Sequence, residues 1–322
     1  MDTVNFEFFS NYGSNKKDVE RVNNILGEIR EQGYFKGKGD SNIYYQKYCI
    51  DNEKGRIVIS HGFSECLEKY KELIFYFIKM GYSVYGIEHR GHGRSGYLGK
   101  VHNTQVSIDK YEYYVEDLKA FVESVVYDEA SKLYLYAHSM GGGIATLFLE
   151  KYNKYFKKAI LSAPMMEINT GNYTNLIAHL ISKIYIFVGK GDNFLFGQGP
   201  FDGKYNLEEA ATSNKYRYEN HLNELRNDKL LQRAGGSFYW INEGIKLTNE
   251  IFKEKNIKNL NIPILLFQCG KDTFVNERGH NKFGKKYDKC KIIRFENGKH
   301  ELYRENDDIL KVYLKEIEEF LK

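Results

Sequence analysis

Apolar and polar positions along this chain follow two rhythms, and the switches between them divide it into elements. "RIVIS" at 56–60 is a short apolar run rich in β-branched residues, as expected of a strand buried on both faces. "ECLEKYKELIFYFIKMG" at 65–81 has helical spacing and stops at Gly81, a residue suited to a helix C-terminus. The alternation then recurs, with strands expected at 82–89, 132–138 and 157–164 and helices at 107–127 and 141–152. Upstream, 16–32 reads as a polar helix and 34–50 as a hairpin turning at "GKGD".

Such alternation implies a mostly parallel sheet flanked by helices, an α/β fold. It breaks off after Pro164: residues 165–257 hold helical pieces but no clear strand. It resumes with strands at 262–270 and 291–296 and helices near 276–287 and at 306–321. The expected organisation is one core, 1–164 with 258–322, interrupted by a helical cap at 165–257, because the sheet needs the strands on both sides of the insertion.

Composition narrows the possibilities. With 42% apolar and 28% charged residues, a packed protein is expected rather than a disordered one. Lys and Arg total 47 against 43 Asp and Glu, too even a balance for a nucleic-acid partner. The N-terminus shows no basic segment followed by an apolar stretch, and no run approaches the ~18 apolar residues of a membrane span, so a cytoplasmic location is expected. Cys49, Cys66, Cys269 and Cys290 lack CxxC spacing and read as reduced thiols.

The candidate chemistry lies where one strand becomes a helix. In "LYLYAHSMGGGIATLFLE" (133–150), "AHSMG" nearly matches the G-x-S-x-G nucleophile elbow, with Ala137 in place of the first glycine. A sharp strand-to-helix turn projects the Ser139 hydroxyl outward, and the positions two before and two after it must be tiny. A serine nucleophile needs a base, an orienting acid and an oxyanion hole. "HGFSE" (61–65) follows the first buried strand and offers the Phe63 amide; Met140, just after the serine, offers the second. Asp272 in "CGKDTFVN" and His300 in "ENGKHELYREND" each follow a predicted strand, in the order Ser139, Asp272, His300. His61 and His138 read as structural neighbours of the glycine turns, His280 lies on a helix, and Glu65 suits a loop-holding hydrogen bond. A metal site at His61, His89 and His92 finds no carboxylate or cysteine spacing to support it, so no metal or cofactor is expected.

Five motifs, "SHGFSE", "GIEHRGHGRSG", "AHSMGG", "CGKDTFV" and "KHELYREN", together resemble the serine α/β-hydrolases of the monoacylglycerol lipase and lysophospholipase L2 group. The resemblance spans roughly 40–320, and 213–244 also looks like the lysophospholipase cap. It implies an α/β-hydrolase fold, Ser139 as nucleophile, His300 as base, Asp272 as orienter, and Phe63 and Met140 as oxyanion amides. The departures are Ala137 for glycine and Glu88 where aspartate often stands.

The insertion speaks to the substrate. Apolar residues in 175–189 recur at helical spacing, with Leu176, Leu180 and Ile184 on one face, and "FYW" at 238–240 adds Trp240. These four are the candidate lining of an acyl pocket, and the apolar face is a candidate for transient contact with a lipid surface. The expected partner is a small amphiphilic ester. A small-ester carboxylesterase and a non-catalytic ligand-binding module remain the alternatives.

Overall fold

The computed structural model describes residues 7–322. Helix α1 (Lys16–Ile29) starts where the Asn15 side chain accepts the Lys17 N–H at 3.0 Å, and buries Val22 and Leu26, one turn apart. It ends earlier than the expected 32, because Arg30 turns extended and opens strand β1 (Arg30–Lys36). β1 pairs antiparallel with β2 (Asn42–Tyr48), and "GKGD" makes the turn, the Gly37 N–H donating to the Ser41 carbonyl at 2.8 Å.

The alternation then runs as expected: β3 (Arg56–Ser60), α2 (Lys71–Lys79), β4 (Ser83–Ile87), α3 (Glu112–Phe121), β5 (Leu133–His138), α4 (Ser139–Lys151) and β6 (Phe156–Ser162). Helix α3 is shorter than the expected 107–127. The helix begins five residues late, after a segment in which Val106 bonds through its backbone to Gly235 and Ser237, and a π turn at Val122–Val126 carries it on almost to 127. Helices α5 (Asn175–Phe187), α6 (Lys215–Asn227), α7 (Phe238–Ile251) and α8 (Glu254–Ile257) follow, and this stretch adds no strand to the sheet. The chain closes with β7 (Ile264–Cys269), α9 (Glu277–Lys286), β8 (Cys290–Phe295) and α10 (Asp307–Leu321).

The sheet order is β1-β2-β4-β3-β5-β6-β7-β8, parallel from β4 onward and antiparallel at the β1–β2 edge. Ile57, Val58, Ile59, Leu135, Ala159 and Leu265 are fully buried, as strands covered on both faces require. β3 lies between β4 and β5, so the connections leave it in opposite directions, and a crevice opens at the strand carboxyl ends there.

Two buried arginines bind the 165–257 segment to the rest. Arg217 on α6 pairs with Glu72 at 2.7 Å and Asp307 at 2.9 Å. Arg233 donates to the carbonyls of Gly91 at 2.7 Å and Gly93 at 3.2 Å. Removing one partner of such a buried pair strands the other charge, which costs about 3–5 kcal/mol.

Candidate active site

Ser139 is the first residue of α4, two positions earlier than the helix pattern alone suggests, and its φ is +50°. That left-handed backbone is strained for serine, so the surroundings must enforce it. They do so by close approach. A Cβ on Gly141 would stand 2.2 Å from the Ser60 carbonyl oxygen and 2.4 Å from that of His61. Only glycine lets α4 begin so close to the end of β3. The Ser139 carbonyl in turn accepts the Met165 N–H at 2.8 Å. Ala137 is fully buried within β5, where its methyl is accommodated.

The two remaining candidates converge on this serine. His300 Nε2 lies 2.8 Å from Ser139 Oγ, and His300 Nδ1 lies 2.7 Å from Asp272 Oδ2. The other carboxylate oxygen, Oδ1, accepts the N–H groups of Phe274 at 2.8 Å and Val275 at 3.0 Å, which fixes how Asp272 faces the ring. Burial opposes ionisation of Asp272, but the nearby His300 and these hydrogen bonds outweigh it and hold the carboxyl below its usual range. An ionised acceptor at Nδ1 puts the ring proton there and leaves the Nε2 lone pair for the serine hydroxyl.

The His300 ring is flanked by His138, with centroids 4.7 Å apart, and by Phe274 at 4.9 Å. Burial pushes His138 down to about 4, so a neutral ring faces His300 at pH 7. Phe274 is partly exposed and adds an apolar wall beside His300. The sequence pattern gave no reason to single it out, since its only signal is adjacency to the Asp272 loop.

Phe63 lies just past β3 and Met140 in the first turn of α4, where an N–H has no acceptor within the helix. The Phe63 amide likewise donates to no backbone or side-chain acceptor among the described residues. Both amides thus belong to the turns flanking Ser139. The Phe63 ring sits against Trp240, with centroids 4.2 Å apart, so the insertion reaches this site through α7.

The expected pocket is corrected in part. Trp240 is buried, but Leu176, Leu180 and Ile184 are 79%, 58% and 51% exposed and face outward. Helix α5 turns the other way from the apolar count: Ser182 is buried and Ala178, Ile181 and Tyr185 pack inward, because they face α7. Of the three histidines of the metal reading, His61 engages both ring nitrogens, while His89 and His92 each engage one. His61 Nδ1 bonds the Gly62 carbonyl, His89 Nε2 bonds Ser60 Oγ, and His92 Nδ1 bonds the Arg90 carbonyl. Among the described residues no group of three or more His, Cys, Asp or Glu side chains suits a metal ion.

Residues 51–307 match the family described as serine aminopeptidase, S33. The chain belongs to this family. Among its relatives, the probable lysophospholipase L2 of Haemophilus influenzae is 28% identical over 301 residues, covering 89% of this chain and 91% of that protein. The monoglyceride lipase of Mus musculus is 25% identical over 269 residues, covering 82% and 81%. A solved structure of a soluble variant of Saccharomyces cerevisiae monoglyceride lipase, in complex with a substrate analogue, superposes with a TM-score of 0.70 at 20% identity, covering 91% of this chain and 96% of that one. The S33 member described here thus has the α/β-hydrolase fold.

Proposed function

We propose that this chain hydrolyses carboxylic esters of single-chain lipids, lysophospholipids or monoacylglycerols, through an acyl-enzyme on Ser139. The observation that carries the reading is the continuous path Asp272 to His300 to Ser139, at 2.7 and 2.8 Å, in a member of a serine-hydrolase family. The names of its relatives, lysophospholipase L2 and monoglyceride lipase, support the substrate class.

The chemistry follows from the geometry. As Ser139 Oγ attacks the ester carbonyl, its proton passes to His300 Nε2. Asp272 keeps the Nδ1 proton in place and stabilises the imidazolium. The carbonyl oxygen becomes an oxyanion facing the Phe63 and Met140 amides. His300 protonates the departing alcohol, then takes a proton from water as that water attacks the acyl-enzyme, and returns it to Ser139 Oγ as the C–O bond to the serine breaks and the acid leaves.

Residues 165–257 act as the cap in this reading, with Trp240 beside Phe63 on the acyl path. The exposed stripe of Leu176, Leu180, Ile184 and Phe187 on α5 suits transient contact with a lipid surface rather than the acyl path. No helix among the described residues is long and apolar enough to cross a membrane.

The test is a series of p-nitrophenyl esters below their micelle concentrations, followed by natural lipids. Each methylene buried by a bound chain contributes about 0.8 kcal/mol, nearly fourfold in binding. kcat/KM should climb from acetyl to medium or long acyl chains, and single-chain lipids should outrun triacylglycerols. A steady fall beyond butyryl would leave a small-ester carboxylesterase instead.

A further inference from the structure

The oxyanion turn is tied down by two buried side chains that do not touch the reacting atoms. His61 is fully buried at the end of β3. Its Nδ1 lies 2.8 Å from the Gly62 carbonyl oxygen, and its Nε2 lies 2.9 Å from the backbone N of His89. A carbonyl only accepts and an amide only donates, so the ring is fixed as the neutral tautomer with its proton on Nδ1. Burial, which pushes His61 down to about 4, keeps that form in place at neutral pH.

The Gly62 carbonyl and the Phe63 N–H belong to one peptide unit. That unit is planar and trans, so the two groups point in opposite directions. Holding the carbonyl therefore aims the amide. The preceding peptide unit is held as well: the Gly62 N–H donates to Glu65 Oε2 at 2.6 Å. Ser64, at φ +55°, turns the chain so that Glu65 comes back to Gly62. Both planes flanking Gly62 are thereby fixed, the residue most free to rotate.

Glu65 is itself secured. Lys69 Nζ donates to its Oε1 at 2.6 Å and the Tyr303 hydroxyl at 3.0 Å, and the Tyr70 hydroxyl donates to its Oε2. Burial opposes its ionisation, but Lys69 and the other partners prevail and hold the carboxyl well below its usual range. Tyr303 sits three residues past His300, so one carboxylate links the oxyanion turn to the loop that carries the base.

We infer that His61 and Glu65 are positioning residues that aim the Phe63 amide at the developing oxyanion. The inference rests on the hydrolytic reading of Ser139. A misaimed amide weakens only the state with negative charge on oxygen, not ground-state binding.

The test compares His61→Phe, His61→Asn and Glu65→Gln with wild type, using a p-nitrophenyl ester, a trifluoromethyl ketone of the same chain length, and the matching fatty alcohol as a ligand with no carbonyl. In His61→Phe, kcat should fall about 10²–10³-fold, the loss typical of one oxyanion donor. Trifluoromethyl ketone affinity should fall in parallel, while KM and fatty-alcohol affinity stay within about threefold. His61→Asn, whose side-chain amide still donates to the Gly62 carbonyl, should recover part of the loss, and Glu65→Gln should fall between wild type and His61→Phe. If His61→Phe does not fold, the other two carry the comparison. Folded variants with kcat within about threefold of wild type, or an equal loss of fatty-alcohol affinity, overturn the inference. An inactive wild type would overturn the hydrolytic reading itself, which is a different result.

Discussion

His300 Nε2 stands 2.8 Å from Ser139 Oγ although 161 positions separate the two residues in the chain. The contact joins a loop after β8 to the turn after β5, and the catalytic proposal depends on it. Ser139→Ala should lower ester turnover by roughly 10⁴–10⁶ while leaving the circular dichroism spectrum unchanged. Turnover within tenfold of wild type, in a preparation free of host esterases, would remove Ser139 from its role.

Asp272→Asn should cost roughly 10⁴ in turnover, for a reason visible in the hydrogen bonds. The Phe274 and Val275 amides require an acceptor at Oδ1, so the asparagine NH₂ must take the other position, facing His300 Nδ1. That donor moves the ring proton to Nε2, where it blocks acceptance from Ser139. Nitrogen-15 NMR of His300 should report the changed tautomer, and an unchanged one with full activity would contradict the assignment.

Leu180 and Ile184 are exposed, so replacing both with serine should leave the melting temperature unchanged. Partition onto lipid vesicles should fall about tenfold, as expected for losing one or two inserted aliphatic side chains. Equal sedimentation of wild type and double variant with vesicles would dismiss α5 as a lipid-contacting face.

Glu150 on α4 is buried and neither carboxyl oxygen has a hydrogen-bond partner among the described residues. Burial, with Glu250 adding to it, pushes its carboxyl up to about 9. A group whose folded value is raised contributes stability below its unfolded value, near 4.5, and that contribution is lost as pH rises through about 9. Glu150→Met removes the ionisation at little change in volume. Its melting temperature should exceed wild type by a margin that grows from pH 5 to pH 8. A margin independent of pH would show that Glu150 is not protonated in the fold.

The hydrophobic rhythm was enough to place the strands from β3 to β7, because strands buried on both faces must be largely apolar, and the half-buried edge strand β8 still showed an apolar core at Ile292 and Ile293. It also located the interruption after β6, where that demand lapses. The candidate residues were legible for a related reason. A strained turn leaves glycines around Ser139, and loops after strands are short enough that Asp272 and His300 stand out. Helix ends were less legible. Helix α4 starts at Ser139 rather than 141, because the backbone of Ser60 and His61 packs against Gly141, a contact between residues distant in sequence.

Orientation was the part that sequence left open. Periodicity identifies an apolar face on α5 but not what covers it, and the fold turns Ser182 inward and Leu176, Leu180 and Ile184 outward. The roles of Arg217 and Arg233 were hidden for the same reason, and His61 and Glu65 read only as structural groups whose partners stayed open: a charged or imidazole side chain looks alike in sequence whether solvated or enclosed. Local pattern determined which segments form strands and helices and which residue types stand at their ends. Only the assembled sheet brought Asp272, His300 and Ser139 into line, because hydrogen-bond distances across so many positions are set by packing, which no local preference encodes.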